Sequence, residues 1–171
     1  MNHSRTNECQ YKVDLPYPPV YVDGPNPVYA CEILSNVGGA VSEMSDVSLY
    51  FYNSVVLEPQ YRSIAECFQQ ISIIEMYHLN IFAELSLQLG ADPRLWSGRT
   101  HKHWWTPAYK QYPREIRALI GNSIEGEKTA ILKYSWQAST ICDRNITAIL
   151  NRIILDEEHH LQTFEEMYHQ L

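Results

Sequence analysis

The sequence predicts an all-α fold, a four-helix bundle in which one long crossover joins two helical hairpins and an extended arm precedes the first helix. Four stretches of the 171-residue chain, each longer than about 20 residues, carry apolar side chains at helical spacing. The first and third breaks between these stretches are short, whereas the middle break is long. Features shared by the two halves further indicate that each half is one hairpin.

Residues 1–27 are expected to form an extended arm that packs on the bundle or on a second subunit. Five of the nine prolines lie in this segment, the last of them at Pro27. Proline lacks a backbone N–H and disrupts a helix interior, so the segment cannot form a long helix. Pro27 itself suits the first turn of the helix that follows. We therefore divide the chain into the arm and a bundle domain at residues 28–171.

Proline, glycine and aspartate mark the ends of the predicted helices. Pro59 separates the first helix from the second, and Asp143 is the expected N-cap of the fourth. Gly38 and Gly39 weaken the first helix locally and permit close contact with another element. The crossover at residues 91–112 holds three of the four tryptophans and is expected to be ordered, with a short helical piece. The four helices are predicted to span residues 28–57, 60–89, 113–141 and 144–170.

Composition and charge exclude several classes of protein. Apolar residues make up 45% of the chain, and the formal net charge is -7 at pH 7. That charge argues against nucleic acids and anionic membrane surfaces as partners. No apolar run approaches the ~20 residues needed to cross a bilayer, and residues 1–15 lack the apolar region of a signal peptide. We therefore expect a cytoplasmic protein with no membrane partner.

The four cysteines form no Cys-x-x-Cys pair. Their spacing argues against a zinc ribbon, a rubredoxin-type iron site and a thioredoxin motif. We expect buried or inactive thiols in a reducing compartment. These residues are Cys9, Cys31, Cys67 and Cys142.

Two Glu-x-x-His pairs, Glu75 with His78 and Glu157 with His160, lie on the apolar seams of the second and fourth helices. Residues three apart share one face of a helix. In both helices the seam follows a 4-3 repeat whose other members are apolar. Charged groups at such positions are costly unless they are paired or bound to metal. The apolar members are Ile64, Phe68, Ile71, Phe82, Leu85 and Leu89 in one helix, and Ile146, Leu150, Ile153, Phe164, Met167 and Leu171 in the other.

An internal repeat adds one glutamate to each pair. Glu127 follows Glu43 by 84 residues, and Glu157 follows Glu75 by 82. This near-constant shift indicates two similar hairpins, each with a glutamate on its first helix and Glu-x-x-His on its second. The predicted site therefore has four carboxylates and two imidazoles, which balance the charge of two divalent ions. Its six metal ligands are Glu43, Glu75, His78, Glu127, Glu157 and His160.

This ligand pattern is that of di-iron and di-manganese carboxylate bundles. The chain resembles the ferritin-like superfamily over about residues 28–170, and within it the rubrerythrins and manganese catalases, although it lacks the rubredoxin-type cysteines of full rubrerythrins. The resemblance implies two metal ions, iron or manganese, with a bridging oxygen species. Oxygen and imidazole ligands without thiolate suit either metal. The resemblance also implies that one pair of glutamates, Glu75 with Glu157 or Glu43 with Glu127, bridges the ions, and we expect it to be Glu75 with Glu157. His78 and His160 would each bind one ion.

Three further residues are expected around this site. Metal-bound histidines usually donate their free N–H to a carboxylate or carbonyl, and we expect Asp156 to accept from His78. Tyr50 and Tyr134 follow Glu43 and Glu127 by one heptad on the same face. They are either partners of the ligand carboxylates, electron relays or ordinary core tyrosines.

The function expected from the resemblance is an oxidoreductase that acts on hydrogen peroxide or dioxygen with an unidentified reductant, as a homodimer or higher homo-oligomer. A ferroxidase or metal-storage protein is the first alternative. A module whose metal is structural and whose aromatic crossover binds a partner is the second. The non-functional alternative is a seam whose polar groups pair with one another without metal. Six buried ionisable groups are hard to pair in that way.

Overall fold

A computed structural model describes residues 11–98 and 100–171, and within them the chain is mostly helical. The all-α prediction is therefore confirmed. Cys9 and the first ten residues of the predicted arm lie outside the described residues. The helices are α1 (Pro27–Gly38), α2 (Glu43–Leu57), α3 (Arg62–Gln88), α4 (Ile116–Thr140) and α5 (Arg144–His169).

The helices pack as two antiparallel hairpins. Both α1 and α2 lie along α3, and α4 lies along α5. The hairpins meet where α2 contacts α4 and α3 contacts α5. The crossover between α3 and α4 contains a two-stranded antiparallel ribbon, β1 (Trp96–Ser97) with β2 (His103–Trp104), and a 3-10 turn at Pro107–Tyr109. The expected short helical piece is thus present, and the ribbon was not expected.

The predicted first helix is wrong in one respect, because it is broken into α1 and α2. A methyl group at Gly38 would lie 2.3 Å from the backbone nitrogen of Trp96, and one at Gly39 would lie 2.5 Å from the carbonyl oxygen of Ser35. The crossover therefore packs directly against the chain at the break. As a result, Glu43 is the first residue of α2 rather than a residue in mid-helix.

A half-buried lysine bridges this break. Lys133 of α4 donates hydrogen bonds from Nζ to the carbonyl oxygens of Ser35, at 3.0 Å, and Val41, at 2.6 Å. Burial lowers the pKa of Lys133 to about 8. Backbone carbonyls left free at a helix end need such partners, so α4 supports the break as well as packing beside it.

Helix ends follow local capping. Asp143 caps α5 as predicted, since its side chain accepts hydrogen bonds from the backbone N–H groups of Asn145 and Ile146. The predicted start of the third helix at residue 113 is wrong. Helix α4 begins at Ile116 because Glu115 accepts from the N–H groups two and three residues further on.

Two apolar clusters fill the bundle on either side of a polar layer. One cluster is centred on Phe82, Tyr134 and Ile153, and the other on Phe68 and Phe164. Along α3 and α5 the Glu-x-x-His pairs lie between the two clusters. The bundle therefore encloses its charged seam residues in an otherwise apolar interior.

The cysteine prediction holds in part. Cys31 and Cys142 are free thiols, whereas Cys67 is disulfide-bonded. The expectation of an unbonded thiol is therefore wrong for Cys67, because spacing along the chain cannot show which sulfurs meet in space. None of the described helices is long and apolar enough to span a membrane.

Candidate metal centre

Six buried residues from four helices converge in the polar layer. They form two overlapping groups, and in each group one ligand atom per residue lies within 4.8 Å of the others. Glu75 and Glu157 belong to both groups. The first group adds Glu43 and His78, and the second adds Glu127 and His160. The structure thus brings together all six residues of the predicted site.

Both histidines direct Nδ1 into the cluster. The Nδ1 atom of His78 lies 3.2 Å from Glu75 Oε2 and 3.1 Å from Glu157 Oε1. The Nδ1 atom of His160 lies 3.2 Å from Glu157 Oε2 and 2.9 Å from Glu75 Oε1. The terminal carboxylates are further away, with Glu43 and Glu127 each 3.7 Å from the nearer Nδ1. The two hairpins therefore supply equivalent halves of one site.

The outer nitrogen of each imidazole has a partner outside the cluster. His78 Nε2 lies 3.2 Å from Asp156 Oδ2 and 3.1 Å from the hydroxyl of Tyr17, which itself donates to that carboxylate. His160 Nε2 lies 2.8 Å from the carbonyl oxygen of Tyr11. A proton held on Nε2 leaves Nδ1 as a lone-pair donor facing the carboxylates. Both histidines are thus oriented as metal ligands.

The N-terminal arm is held over this side of the site by α5. Arg152 donates to the carbonyl oxygens of Val13 and Leu15, each at 2.8 Å, and pairs with Asp156 Oδ1 at 2.8 Å. The backbone N–H of Val13 also donates to Asp156 Oδ1 at 2.8 Å. The Arg152 guanidinium lies over the ring of Tyr17, 4.3 Å from its centroid. The arm therefore covers the histidines and contributes to their outer partners.

Two buried tyrosines connect the hairpins across the carboxylate side. Tyr50 of α2 donates to Glu127 Oε1 at 2.5 Å, and Tyr134 of α4 donates to Glu43 Oε1. Burial raises the pKa of both hydroxyls, and the nearby carboxylates raise it further. Both tyrosines therefore stay protonated and act as hydrogen-bond donors. Each fixes one oxygen of a carboxylate: Oε1 of Glu43, whose Oε2 lies nearer His78, and Oε1 of Glu127, which is also the oxygen nearer His160.

The buried charges shift the pKa of most groups in the cluster. Burial raises the pKa of Glu43 and Glu127, and neighbouring glutamates raise it further. For Glu75, burial is outweighed by His160 and His78, which hold its pKa below the usual range. Burial alone would lower the pKa of both histidines, but the carboxylates raise it well above 6.5. Without metal, protons must balance this cluster, so metal binding must displace them.

The residues present fit a pair of divalent ions. Glu75 Oε1 and Glu157 Oε1 are buried and receive no hydrogen bond, since the nearby imidazole nitrogens are not aligned to donate to them. Unpaired buried carboxylate oxygens are costly and need a cation or a donor. All the inward-facing atoms are carboxylate oxygens or imidazole nitrogens, which suit iron or manganese. Glu43, Glu75, Glu157 and His78 would hold one ion, and the second group the other.

Comparison with known proteins agrees with this geometry. The rubrerythrin family model matches residues 38–168. The chain belongs to the rubrerythrin family. Two crystal structures of KatB, a manganese catalase from Anabaena, share the fold of this rubrerythrin-family chain with a TM-score of 0.82 and 21% sequence identity, over 94% of this chain and 80% of KatB. The predicted ferritin-like bundle is thereby confirmed. Among curated proteins, none matches the chain in sequence.

Several residues around the centre of this rubrerythrin-family chain were not predicted. Tyr11 and Tyr17 lie in the proline-rich arm, where no periodic pattern indicates what the arm contacts. Arg152 carried a usable signal, because it precedes Asp156 by four residues and so faces the same side of α5. The position of Asp46, one turn after Glu43, suits either a further ligand or a surface or helix-contact role; it is buried and belongs to neither ligand group. It pairs instead with Lys110 of the crossover.

Proposed function

We propose that this protein is a dimetal carboxylate oxidoreductase that binds two iron or two manganese ions and acts on hydrogen peroxide. The observation that carries the proposal is the pair of overlapping four-residue groups that share Glu75 and Glu157. Membership of the rubrerythrin family supports the metal site. The fold shared with a manganese catalase supports peroxide as the substrate.

The chain's own residues position such a metal pair. Glu75 and Glu157 would bridge the ions, and each hairpin would add one glutamate and one histidine. When bound, the metal pair supplies the redox chemistry, in which two peroxide molecules become two waters and one dioxygen, or one peroxide becomes two waters with two electrons and two protons from a reductant. The protein fixes the ligands, holds the imidazole tautomers and excludes bulk water.

Hydrogen bonds from Tyr50 and Tyr134 support the terminal carboxylates in this proposal. Each hydroxyl holds one oxygen of Glu127 or Glu43 and so limits the rotation of that carboxylate beside the proposed ions. On the opposite side, Asp156 accepts from His78, and a carbonyl of the arm accepts from His160. Partners of this kind are as much a part of a metal site as its ligands.

Metal analysis combined with two assays tests the proposal. Protein loaded with manganese or with iron is expected to hold two ions per chain. It should either evolve dioxygen from hydrogen peroxide or consume peroxide in the presence of a reductant. The first assay measures dioxygen at an electrode, and the second follows oxidation of the reductant by absorbance. If the protein holds two ions of either metal and turns over peroxide in neither assay, the proposed reaction is contradicted.

Asp156→Asn is expected to weaken metal binding by roughly 10- to 100-fold, the usual cost of losing an outer partner of a metal-bound histidine. The amide cannot balance the charge that develops on His78. Tyr17→Phe, which removes only the second partner of the same nitrogen, should have a smaller effect in the same direction. Competition with a coloured chelator measures both.

Tyr21→Phe is the matched control for the arm tyrosine. Tyr21 is 58% exposed, and we expect the metal affinity of this variant to equal that of the unmodified protein.

Equal affinities for Asp156→Asn and the unmodified protein, with the helical circular dichroism unchanged, would show that Asp156 does not support the site.

A further inference from the structure

A surface pocket of about 370 Å³ lies between α2, α4 and the crossover. Leu49 lines it from α2, Tyr109 and Lys110 from the crossover, and Gly126 from α4. Gly126 directly precedes the ligand Glu127. The pocket is therefore outside the carboxylate side of the metal centre, away from the arm that covers the histidines.

One residue of the pocket wall, Lys110, forms a largely buried ion pair. Lys110 Nζ donates to Asp46 Oδ1 at 2.7 Å, and the two side chains are only 15% and 6% exposed. Asp46 lies one turn after the ligand Glu43 on α2. The pair therefore joins the pocket wall to the first turn of α2, which carries Glu43.

Gly126 lies between the ion pair and a tyrosine that contacts Glu127. A methyl group at Gly126 would lie 3.5 Å from Asp46 Oδ1, 3.6 Å from Lys110 Nζ and 3.9 Å from the Tyr50 hydroxyl. That hydroxyl donates to Glu127 Oε1 at 2.5 Å. The missing side chain of Gly126 thus leaves a gap that faces the ion pair on one side and the hydrogen bond to Glu127 on the other.

We propose that small oxidants reach the metal pair through this pocket, and that Lys110 and Gly126 are specificity-determining residues that limit the size of what passes. The inference rests on the proposed function, because a metal pair must be present to receive the ligand. The Lys110 charge offsets that of Asp46, so the ion pair itself does not repel small anions, and Glu125 lies at the pocket wall as well. The flexible lysine stem belongs to the crossover, so it can move into the pocket without disturbing a helix.

Azide binding to the metal-loaded protein tests the passage without requiring turnover. Its association rate is measured by stopped-flow absorbance. Gly126→Ala adds one methyl group to the gap and should slow association at least about fivefold, because close-packed interiors leave little spare room. Lys110→Ala removes most of the lysine side chain from the pocket wall and should accelerate azide association. Metal content and the spectrum before azide addition should be unchanged in both variants.

Gly121→Ala is the matched control. It makes the same substitution on α4, where the new methyl group would approach only the Tyr168 ring, at 4.0 Å. We expect azide to bind this variant at the rate of the unmodified protein. The Gly126 variant is informative even where Lys110→Ala does not fold.

The outcomes separate this inference from the proposed function. Fully metallated Gly126→Ala that binds azide at the rate of the unmodified protein would overturn the passage and leave the proposed function intact. The expected azide rates without any peroxide turnover would support the passage and contradict the proposed reaction. An unmodified chain that binds no metal would overturn both.

Discussion

Replacing Glu75 with glutamine is expected to abolish binding of the metal pair. Glu75 belongs to both ligand groups, so its loss removes a bridging carboxylate from each ion at once. One of its oxygens is buried without a hydrogen-bond partner. The amide of glutamine has no negative charge, so it cannot replace this carboxylate as a ligand. Metal content should fall from two ions per chain to one or none, as measured by elemental analysis after gel filtration.

The same substitution should remove the stabilisation that metal gives the fold. A ligand present at about 1,000 times its dissociation constant stabilises a protein by roughly 4 kcal/mol. In a chain of this size, each kcal/mol raises Tm by about 2–4 °C. Metal should therefore raise the Tm of the unmodified protein by roughly 8–16 °C and that of Glu75→Gln by much less. Comparing each variant with and without metal cancels the effect of the substitution on the metal-free fold.

Glu66→Gln provides the control on the same helix. Glu66 is an exposed residue of α3 whose side chain is 61% accessible, and its variant should keep both ions and the full rise in Tm. Glu75→Gln protein that retained two ions and the same rise would show that Glu75 is not a bridging ligand.

Arg152→Met is expected to lower the free energy of unfolding by about 3–5 kcal/mol, the cost of removing one partner of a buried ion pair. Methionine keeps much of the apolar stem but leaves Asp156 without its guanidinium. It also removes the guanidinium hydrogen bonds to the carbonyl oxygens of Val13 and Leu15. Urea unfolding of metal-free protein measures the loss without a contribution from metal binding.

Arg62→Met is a close control, because Arg62 also pairs with an acid four residues later. That pair, Arg62 with Glu66, is exposed, with side-chain accessibilities of 77% and 61%. Exposed pairs of this kind contribute less than about 1 kcal/mol, so the free energy of unfolding should barely change. A similarly small effect of Arg152→Met would mean that the arm and Asp156 do not depend on Arg152.

The predicted helices agree with the structure wherever the chain's own pattern decides the outcome. In helices α3 and α5, all seam positions except those of the glutamate and the histidine are apolar. The bounds of both helices differ from the predicted ones by at most two residues. The broken first helix could not be predicted, since the break depends on the backbone near Trp96 packing against Gly38. The start of α4 depends on a cap by Glu115. Pro113 also suits the first turn of a helix, so the sequence pointed to an earlier start.

The sequence by itself determined the bundle and the set of six residues that meet in its polar layer. The 4-3 apolar repeat places Glu75, His78, Glu157 and His160 on buried seams, and the internal repeat adds Glu43 and Glu127. These signals are local or periodic, so they can be recognised in the sequence without knowledge of tertiary contacts.

Only the tertiary structure decided what surrounds those six residues. Arg152 meets Val13 and Leu15 of the arm, and Lys110 meets Asp46, across 64 to 139 positions of sequence. The arm presents mainly backbone groups to α5 and His160, and every residue type offers such groups, so no residue pattern marks their partners. The physical reason is that these contacts depend on where the arm and the crossover fold back onto the bundle, which neither spacing nor periodicity encodes.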